Sequence, residues 1–546
     1  MLPAGMPCCA LMRIIKNRPA AGRFCFYAPQ KGETDMAQIK IQDLSFYYEG
    51  SFAHIFEHVS LSLDTDWKLG LIGRNGKGKT TFLELLRGTY AYQGTISAPV
   101  KFAYFPYTVT EAQMQQPAVS FMQTLKPDCE EWRVICELQR LGETADVLYQ
   151  PFRTLSAGQQ TKLLLAVLFS GGQDFLLIDE PTNHLDQVSR MQVRQYLAEK
   201  QGFILVSHDR DLLDACVDHV LVLNRKTIEL QSGNFSSWQE NKARKDQFAE
   251  AENEKHRKEI RKLRKAAKRT ADWAEKSERT KIGFDPVKEH DRCISTRAFI
   301  GSKTKKMQSR VRQIEGRISR EIEEQEGLLQ DLEHPAALQM SPLTHHKQTL
   351  LTLRDYSLQY DGAAAPLFRG LNLTVQRGDR IALHGGNGAG KTTLFRMLLH
   401  KAGLDADVSG LTESGSCELA SGLIISYVPQ SAAGLQGTLP DFCAQRHLDR
   451  SMFCTVLRQL DLDRAQFEKP FADYSEGQKK KVLLAASLLT PAHLYIWDEP
   501  LNYIDVFSRM QIETLLTAYQ PTLLFAEHDV RFRSQIGAAT VGLTAP

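Results

Sequence analysis

The sequence predicts an α/β chain in which two homologous domains, near 36–235 and 346–546, are joined by a long basic α-helical hairpin at 236–345. Three observations predict it. Four short motifs recur in one order at nearly one offset. The first motif of each set is a Gly-rich loop between a strand pattern and a helix pattern. Between the two sets lies one segment that carries most of the chain's excess positive charge.

The repeat comes first in the argument. Gly73-Arg-Asn-Gly-Lys-Gly-Lys79-Thr80 matches Gly385-Gly-Asn-Gly-Ala-Gly-Lys391-Thr392 at an offset of 312. Leu155-Ser-Ala-Gly-Gln159 matches Tyr474-Ser-Glu-Gly-Gln478 at 319, as Phe175-Leu-Leu-Ile-Asp-Glu180 matches Leu494-Tyr-Ile-Trp-Asp-Glu499. Val206-Ser-His208-Asp matches Ala526-Glu-His528-Asp at 320. Four ordered matches at one spacing require two copies of one fold.

The 546 residues contain 42% hydrophobic and 24% charged residues, which excludes a disordered chain, a collagen and a coiled-coil rod. No apolar run approaches the roughly 18 residues that a membrane-spanning helix needs. The formal net charge of +3 hides a split. Asn241 to Arg320 holds 25 Lys and Arg against 12 Asp and Glu, a net of +13, and the remainder has a net of −10. A basic stripe in an acidic protein is the footprint of a polyanion binder. Ten scattered cysteines without zinc spacing fit a reducing cytosol, hence a cytoplasmic protein. Residues 1–35 lack a clear period and read as an N-terminal extension, either disordered or upstream of the true start at Met36; the folded pattern begins at Ala37-Gln-Ile-Lys-Ile-Gln.

Each Gly-rich loop follows a strand pattern, Lys68-Leu-Gly-Leu-Ile-Gly or Arg380-Ile-Ala-Leu-His, and opens a helix. Such a loop turns backbone N–H groups inward around a phosphate, and the helix aims its positive end at the same anion. The candidate nucleotide-binding residues are Gly73, Arg74, Asn75, Gly76, Lys77, Gly78, Lys79, Thr80 and Thr81, and Gly385, Gly386, Asn387, Gly388, Ala389, Gly390, Lys391, Thr392 and Thr393. Lys79 and Lys391 are expected on the β- and γ-phosphates, and Thr80 and Thr392 on Mg²⁺. Asp179 and Asp498 end buried strand patterns and are expected to hold Mg²⁺. Glu180 and Glu499, one residue on, are the candidate general bases for an attacking water. His208 and His528 follow a second apolar strand in register and are expected near the γ-phosphate.

These residues resemble ATP-binding-cassette domains. Ser156-Ala-Gly158-Gln159 and Ser475-Glu-Gly477-Gln478 are similar to that family's signature. The resemblance implies a fold of two P-loop ATP-binding-cassette domains in which each signature closes over the ATP of the other domain. Ser156, Gly158 and Gln159 would then face the nucleotide on Lys391, and Ser475, Gly477 and Gln478 the one on Lys79. Tyr48 and Tyr360 match the family's adenine-stacking aromatic, and an ordinary strand tyrosine is the other reading. Gln430 in Tyr427-Val-Pro-Gln matches the family's Mg²⁺-binding glutamine; the first copy has Tyr107 there, in Tyr104-Phe-Pro-Tyr.

Two cassettes on one chain, with Asp179-Glu-Pro-Thr-Asn-His-Leu-Asp186, resemble the ABC-F group; the second copy departs to Asp498-Glu-Pro-Leu-Asn-Tyr-Ile-Asp505. That resemblance implies an ATPase using ATP and Mg²⁺, a monomer with an intramolecular cassette dimer and no stable membrane partner. It also implies a ribosome partner, where the linker reaches 23S rRNA and P-site tRNA from the E site. The intervals Tyr107–Ser156 (49 residues) and Gln430–Ser475 (45 residues) are near-equal, which argues against an inserted arm. With the long linker tip, this resembles the branch that protects ribosomes from antibiotics at the peptidyl-transferase centre. A housekeeping ABC-F translation factor and the ATPase subunit of a membrane transporter are the alternatives.

The linker's own residues agree. A charged proline-free stretch from about Trp238 to Asp272 predicts one helix, and Val311, Ile314, Ile318 and Ile322 predict the seam of its partner. Ile282-Gly-Phe-Asp-Pro286 predicts the break, so the tip falls in 281–305. Arg261, Lys262, Arg264, Lys265, Lys268 and Arg269 suit phosphate contacts. At the tip, Phe284, Arg297, Phe299 and Lys303 suit RNA, the two phenylalanines equally suiting packing within the tip. Charge reversal at Lys262, Lys265 and Arg269 should therefore weaken ribosome co-sedimentation more than the same change on a cassette, and raised salt should weaken the parent in the same way.

Overall fold

The structure is a computed structural model that describes residues 37–48, 54–172, 174–183, 185–224, 227–279, 309, 312–314, 316–321, 338–363 and 365–543. The first half holds β1 (Gln38–Phe46), β2 (Phe56–Asp64), β3 (Lys68–Gly73), β4 (Gln93–Ser97), β5 (Phe102–Phe105), β6 (Phe175–Asp179), β7 (Phe203–Val206), β8 (His219–Leu223) and β9 (Ile228–Ser232). They form an antiparallel sheet ordered β2-β1-β4 and a six-stranded sheet ordered β5-β6-β7-β3-β8-β9. In the larger sheet only the β8–β9 pair is antiparallel. Its central strands are unbroken apolar runs, Phe-Leu-Leu-Ile and Phe-Ile-Leu-Val, because both faces are covered.

The second half repeats the plan with β10 (Thr349–Tyr360), β11 (Phe368–Gln376), β12 (Arg380–His384), β13 (Leu411–Leu419), β14 (Ile425–Val428), β15 (Leu494–Asp498), β16 (Leu523–Ala526) and β17 (Ala539–Gly542). The sheets are ordered β11-β10-β13 and, wholly parallel, β14-β15-β16-β12-β17. In both halves the phosphate loop, the Asp-Glu pair and the histidine leave the C-terminal ends of three adjacent parallel strands. That end of a parallel sheet is where ligands bind, since the loops there converge on one crevice.

The halves are docked on each other. Arg210, buried in the first half, bonds the Glu513 carboxylate of the second through both amino groups, one at 3.0 Å. Arg531 donates to Asp214 at 2.8 Å, and Arg74 pairs with Asp461. Val506 of the second half joins the apolar core of the first, with Phe507 and Met510 packed against it. A fully buried pair, Lys481 with Asp505 at 2.7 Å, stiffens the segment that makes these contacts.

The linker begins with one helix, Phe235–Arg279, of 45 residues, about 67 Å long at roughly 1.5 Å per residue. It runs beyond both ends of the predicted 238–272. Gly233 (φ 109°) turns the chain out of β9, and Asn234 Oδ1 caps the helix by accepting from Ser237 N at 3.0 Å. The helix root touches both halves. Asp214 accepts from Ser236 N at 2.6 Å, and Arg531 donates to Ser236 Oγ at 3.3 Å. The Trp238 ring meets Phe507 edge-on at 5.8 Å, and Lys242 Nζ lies 5.1 Å from the Phe507 ring centre.

Further out, Ala249, Asn253, His256, Ile260, Leu263 and Ala267 are buried or half-buried at spacings of four and three, a heptad seam. The six basic residues singled out at 261–269 all lie off the seam and are exposed. Residues 312–314 and 316–321 are helical, as predicted, and Ile318 is buried. Ile314, expected in the seam, is 44% exposed although it stands one turn before Ile318 on the same face. Val311, Ile322 and the candidate tip residues Phe284, Arg297, Phe299 and Lys303 lie outside the described residues, as do residues 1–35.

Removing Arg210 strands a buried Glu513 carboxylate. Arg210→Ala should therefore cost about 3 kcal/mol or more at the seam. Scanning calorimetry of the nucleotide-free chain should show an earlier or split unfolding transition; a trace identical to the parent's would mean the bridge does not form in solution.

Candidate nucleotide sites between the two halves

The first phosphate loop meets the second half. Gly76 and Gly78 take φ of 78° and 95°, the left-handed region where a Cβ is costly. Lys79 Nζ donates to Gly73 O at 2.8 Å, and to Arg74 O and Asn75 Oδ1 at 3.3 Å. Burial lowers the pKa of this ammonium. Thr80 Oγ1 donates to Asp179 Oδ2 at 2.9 Å. Gly73, Lys77 and Thr81 complete the loop and its helix, and Tyr48 O–H meets the Thr81 hydroxyl at 2.8 Å. From the second half, Tyr503 O accepts from Asn75 Nδ2 at 2.7 Å. Gly477 approaches the same atom: a Cβ on it would lie 3.1 Å from Asn75 Nδ2 and 2.7 Å from Tyr503 O.

The second loop borders a cavity. Gly388 and Gly390 repeat the positive φ, and Lys391 Nζ donates to Gly385 O at 2.8 Å and Gly386 O at 3.0 Å. Tyr360 O–H lies 3.3 Å from the Thr393 hydroxyl, and Thr392 Oγ1 donates to Gln430 Oε1 at 3.4 Å. A cavity of about 530 Å³ opens here, lined by Tyr360, Asn387, Ala389, Lys391, Thr392, Gln430, Glu499 and His528. Its far wall is Ala157, Leu185 and Arg190 of the first half.

Ser156 and Ser475 are helix N-caps. Ser156 Oγ accepts from Gln159 N at 3.2 Å while Gln159 Oε1 accepts from Ser156 N at 3.1 Å, and Ser475 with Gln478 does the same at 3.3 and 3.0 Å. The reciprocal box satisfies helix-end donors and occupies both glutamine side chains. Gly158 packs close to Ser189, where a Cβ would lie 3.1 Å from the hydroxyl.

The carboxylates are strained into place. Glu180 and Glu499 take φ of 50° and 44°, a left-handed conformation rare for such residues and common at functional sites. Burial, then the charge of Asp179, pushes Glu180 up to about 8. Burial acts on Glu499 in the same sense, but His528 and Gln430 outweigh it and hold the carboxyl at about 2. His208 Nε2 lies 3.4 Å from Glu180 Oε1, and His528 Nε2 lies 3.8 Å from Glu499 Oε1. Burial pushes His208 well below its ordinary value.

Tyr107, at the glutamine position, packs against the apolar core of the first half. The second oxygen on Asp179 comes instead from Tyr104 O–H at 3.3 Å, a residue the motif reading passed over although Tyr427 repeats it. Among the described residues no cluster of three His, Cys, Asp or Glu forms a metal cage. Both buried carboxylate oxygens of Asp498 lack a hydrogen-bond partner. With the Thr392 and Gln430 oxygens, this donor set suits a hard cation such as Mg²⁺ that takes its remaining ligands from phosphate and water.

The sequence profile of the ABC transporter family matches residues 56–183 and 368–502, one stretch in each half. The chain is 28% identical over 489 residues to the ribosome protection protein VmlR of Bacillus subtilis (strain 168), covering 89% of this chain and 83% of that protein. It is 26% identical over 478 residues to the erythromycin resistance ATP-binding protein MsrA of Staphylococcus epidermidis, covering 85% and 89%. Among solved structures, the archaeal ribosome recycling factor aABCE1 in complex with ribosomal stalk protein aP1 superposes at a TM-score of 0.54 and 18% identity, over 92% of this chain and 87% of that one. At that identity the likeness concerns the fold. The chain is therefore a tandem ATP-binding-cassette protein and an ATP hydrolase. Within that class it is similar to proteins named for ribosome protection and for erythromycin resistance. Among the described residues no helix is long and apolar enough to cross a membrane.

A charge-assisted contact to phosphate is worth about 1.5–3 kcal/mol. Lys391→Ala should accordingly weaken ATP binding at the open cavity by about tenfold to a hundredfold, read by titration with a fluorescent ATP analogue in a Lys79→Ala chain.

Proposed function

We propose that this chain is a ribosome-binding ATPase that protects ribosomes from antibiotics acting at the peptidyl-transferase centre, working as an ATP-gated clamp in the cytoplasm. The observation that carries the reading is the placement of the basic linker helix. Its root is bonded by both halves, at Asp214 and Arg531, and its basic residues at 261–269, some 25 residues further along the 45-residue helix, are exposed. A transporter subunit has no use for such a projection; a protein reaching into folded RNA does. Resemblance to proteins named for ribosome protection and erythromycin resistance supports it.

In this reading, ATP lies on Lys79 and on Lys391, with its adenine against Tyr48 or Tyr360. The loop N–H groups and the lysines hold the phosphates, and Ser475 and Gly477, or Ser156 and Gly158, close from the opposite half. Mg²⁺, held by Thr80 and Asp179 or by Thr392, Gln430 and Asp498, would neutralise charge on the β- and γ-phosphates. Glu180 and Glu499 take a proton from the attacking water, and His208 and His528 orient the γ-phosphate. ATP favours the closed pair because only that pair contacts it from both halves, so ATP shifts the population toward closure. The closed form presents the linker to the E site, where its tip displaces P-site tRNA or 23S rRNA and the drug with it. Hydrolysis reopens the clamp.

The Glu180→Gln, Glu499→Gln double variant should bind ATP, turn over at least about a hundredfold more slowly and remain on ribosomes in a sucrose gradient. Loss of co-sedimentation would sink the clamp. Expression of the parent in a drug-sensitive host should raise tolerance to a peptidyl-transferase inhibitor; unchanged tolerance with retained ribosome binding would make the chain a housekeeping factor.

A further inference from the structure

The run Ser189-Arg190-Met191-Gln192 recurs as Ser508-Arg509-Met510-Gln511, at the same offset of 319 as the carboxylate motif. Its serines have a structural duty: Ser189 N and Ser508 N donate to the helix caps Asp186 and Asp505, each at 2.9 Å. The arginines have another. Each stands on the helix that follows the carboxylates of its own half, yet each lies at the phosphate site of the other. Arg190, from the first half, lines the 530 Å³ cavity together with Lys391, Glu499 and His528 of the second. Arg509, from the second half, acts through its charge on Glu180 and His208 of the first.

Both are tethered in the same way. Nε of Arg190 donates to Leu185 O at 3.0 Å, and Nε of Arg509 to Ile504 O at 2.9 Å, each five residues back. A guanidinium is a rigid planar fork, so anchoring Nε fixes the plane in which its two amino groups act. Arg509 commits those groups to Leu501 O at 2.9 Å and Asp529 Oδ2 at 3.2 Å. Arg190 stands in the wall shared by the large cavity and a smaller one of about 70 Å³ that also holds Asp209, Asp211 and Asp529.

We propose that Arg190 is a further ATP-contacting residue of the Lys391 site, supplied across the interface by the first half, and that its guanidinium meets the terminal phosphate. The inference rests on the reading of that cavity as an ATP site. ADP lacks the terminal phosphate and leaves Arg190 to the wall that holds Asp209, Asp211 and Asp529. The contact therefore discriminates ATP from ADP, and it rewards closure of the halves only when ATP is bound.

The test uses the full chain carrying Lys79→Ala, so that one site binds nucleotide. Arg190→Gln keeps a donor for Leu185 O and loses the charge; Arg190→Lys keeps the charge and loses the fork. ATP and ADP affinities are read by displacement of a fluorescent nucleotide, with KM and kcat alongside. Arg190→Gln should weaken ATP about tenfold and leave ADP unchanged, and Arg190→Lys should keep most of the ATP preference. A parental ATP:ADP ratio in Arg190→Gln overturns the proposal. So does an equal loss of both nucleotides in both variants, the mark of an arginine that merely anchors its loop. Adding Lys391→Ala separates the two failures: ATP binding that survives it refutes the cavity as an ATP site, whereas binding that it abolishes, with Arg190→Gln silent, refutes the arginine alone.

Discussion

Each phosphate loop ends against the opposite half, and the rest of the structure follows from that constraint. A phosphate loop alone presents a concave row of N–H donors open to water on one side. Here Tyr503 O and Gly477 cover the first loop, and Ala157, Leu185 and Arg190 face the second. Glycine at 477 is a requirement of that approach, since a side chain would collide with the Tyr503 carbonyl. Buried charges are tolerated at the seam because they are paired within or across it: Lys481 with Asp505, Arg210 with Glu513, Arg509 with Asp529. Unpaired, each would cost several kcal/mol, so the pairs fix which faces of the halves meet.

The linker is rooted on the same seam, which makes its direction a consequence of docking. Phe507 is the point where three elements meet. The Arg74 guanidinium of the first loop lies 5.8 Å from its ring centre, Trp238 packs against its edge, and Lys242 sits over its face. On the other flank, Asp214 of the first half and Arg531 of the second share Ser236. A helix held at its first turn by both bodies cannot keep its direction if they move apart, and over about 67 Å a small rotation at the root becomes a large displacement at the far end.

What was legible in the sequence is what local chain geometry determines. The loops, the Asp-Glu pairs and the histidines sit at fixed spacing from strands whose apolar runs are unmistakable, so the parallel sheets and the crevice could be read directly. Tyr104 was missed because the motif drew attention to Tyr107, whose ring the fold sends into the core; a hydroxyl three residues earlier reaches Asp179. Arg190 was missed because no local pattern shows which surface a residue of one half presents to the other. The linker seam was read only on the second helix. The first helix builds its seam from Ala249, Asn253 and His256 as well as Ile260, residues too small or too polar for a hydrophobic count to find.

The two glutamates show how far one residue change carries. Glu180 and Glu499 follow the same strand, share the same left-handed backbone and lie beside the same histidine. Both are pushed toward the neutral form by burial. At Glu499, Gln430 and His528 outweigh that push, and Asn502 adds a hydrogen bond at 2.6 Å. At Glu180 the glutamine position is Tyr107, turned into the apolar core, and the next largest influence is the like charge of Asp179. The resulting carboxyls stand near 8 and near 2. Part of that inequality comes from the first half's own packing of Tyr107, and part from the second half, whose Arg509 charge acts on Glu180 and His208.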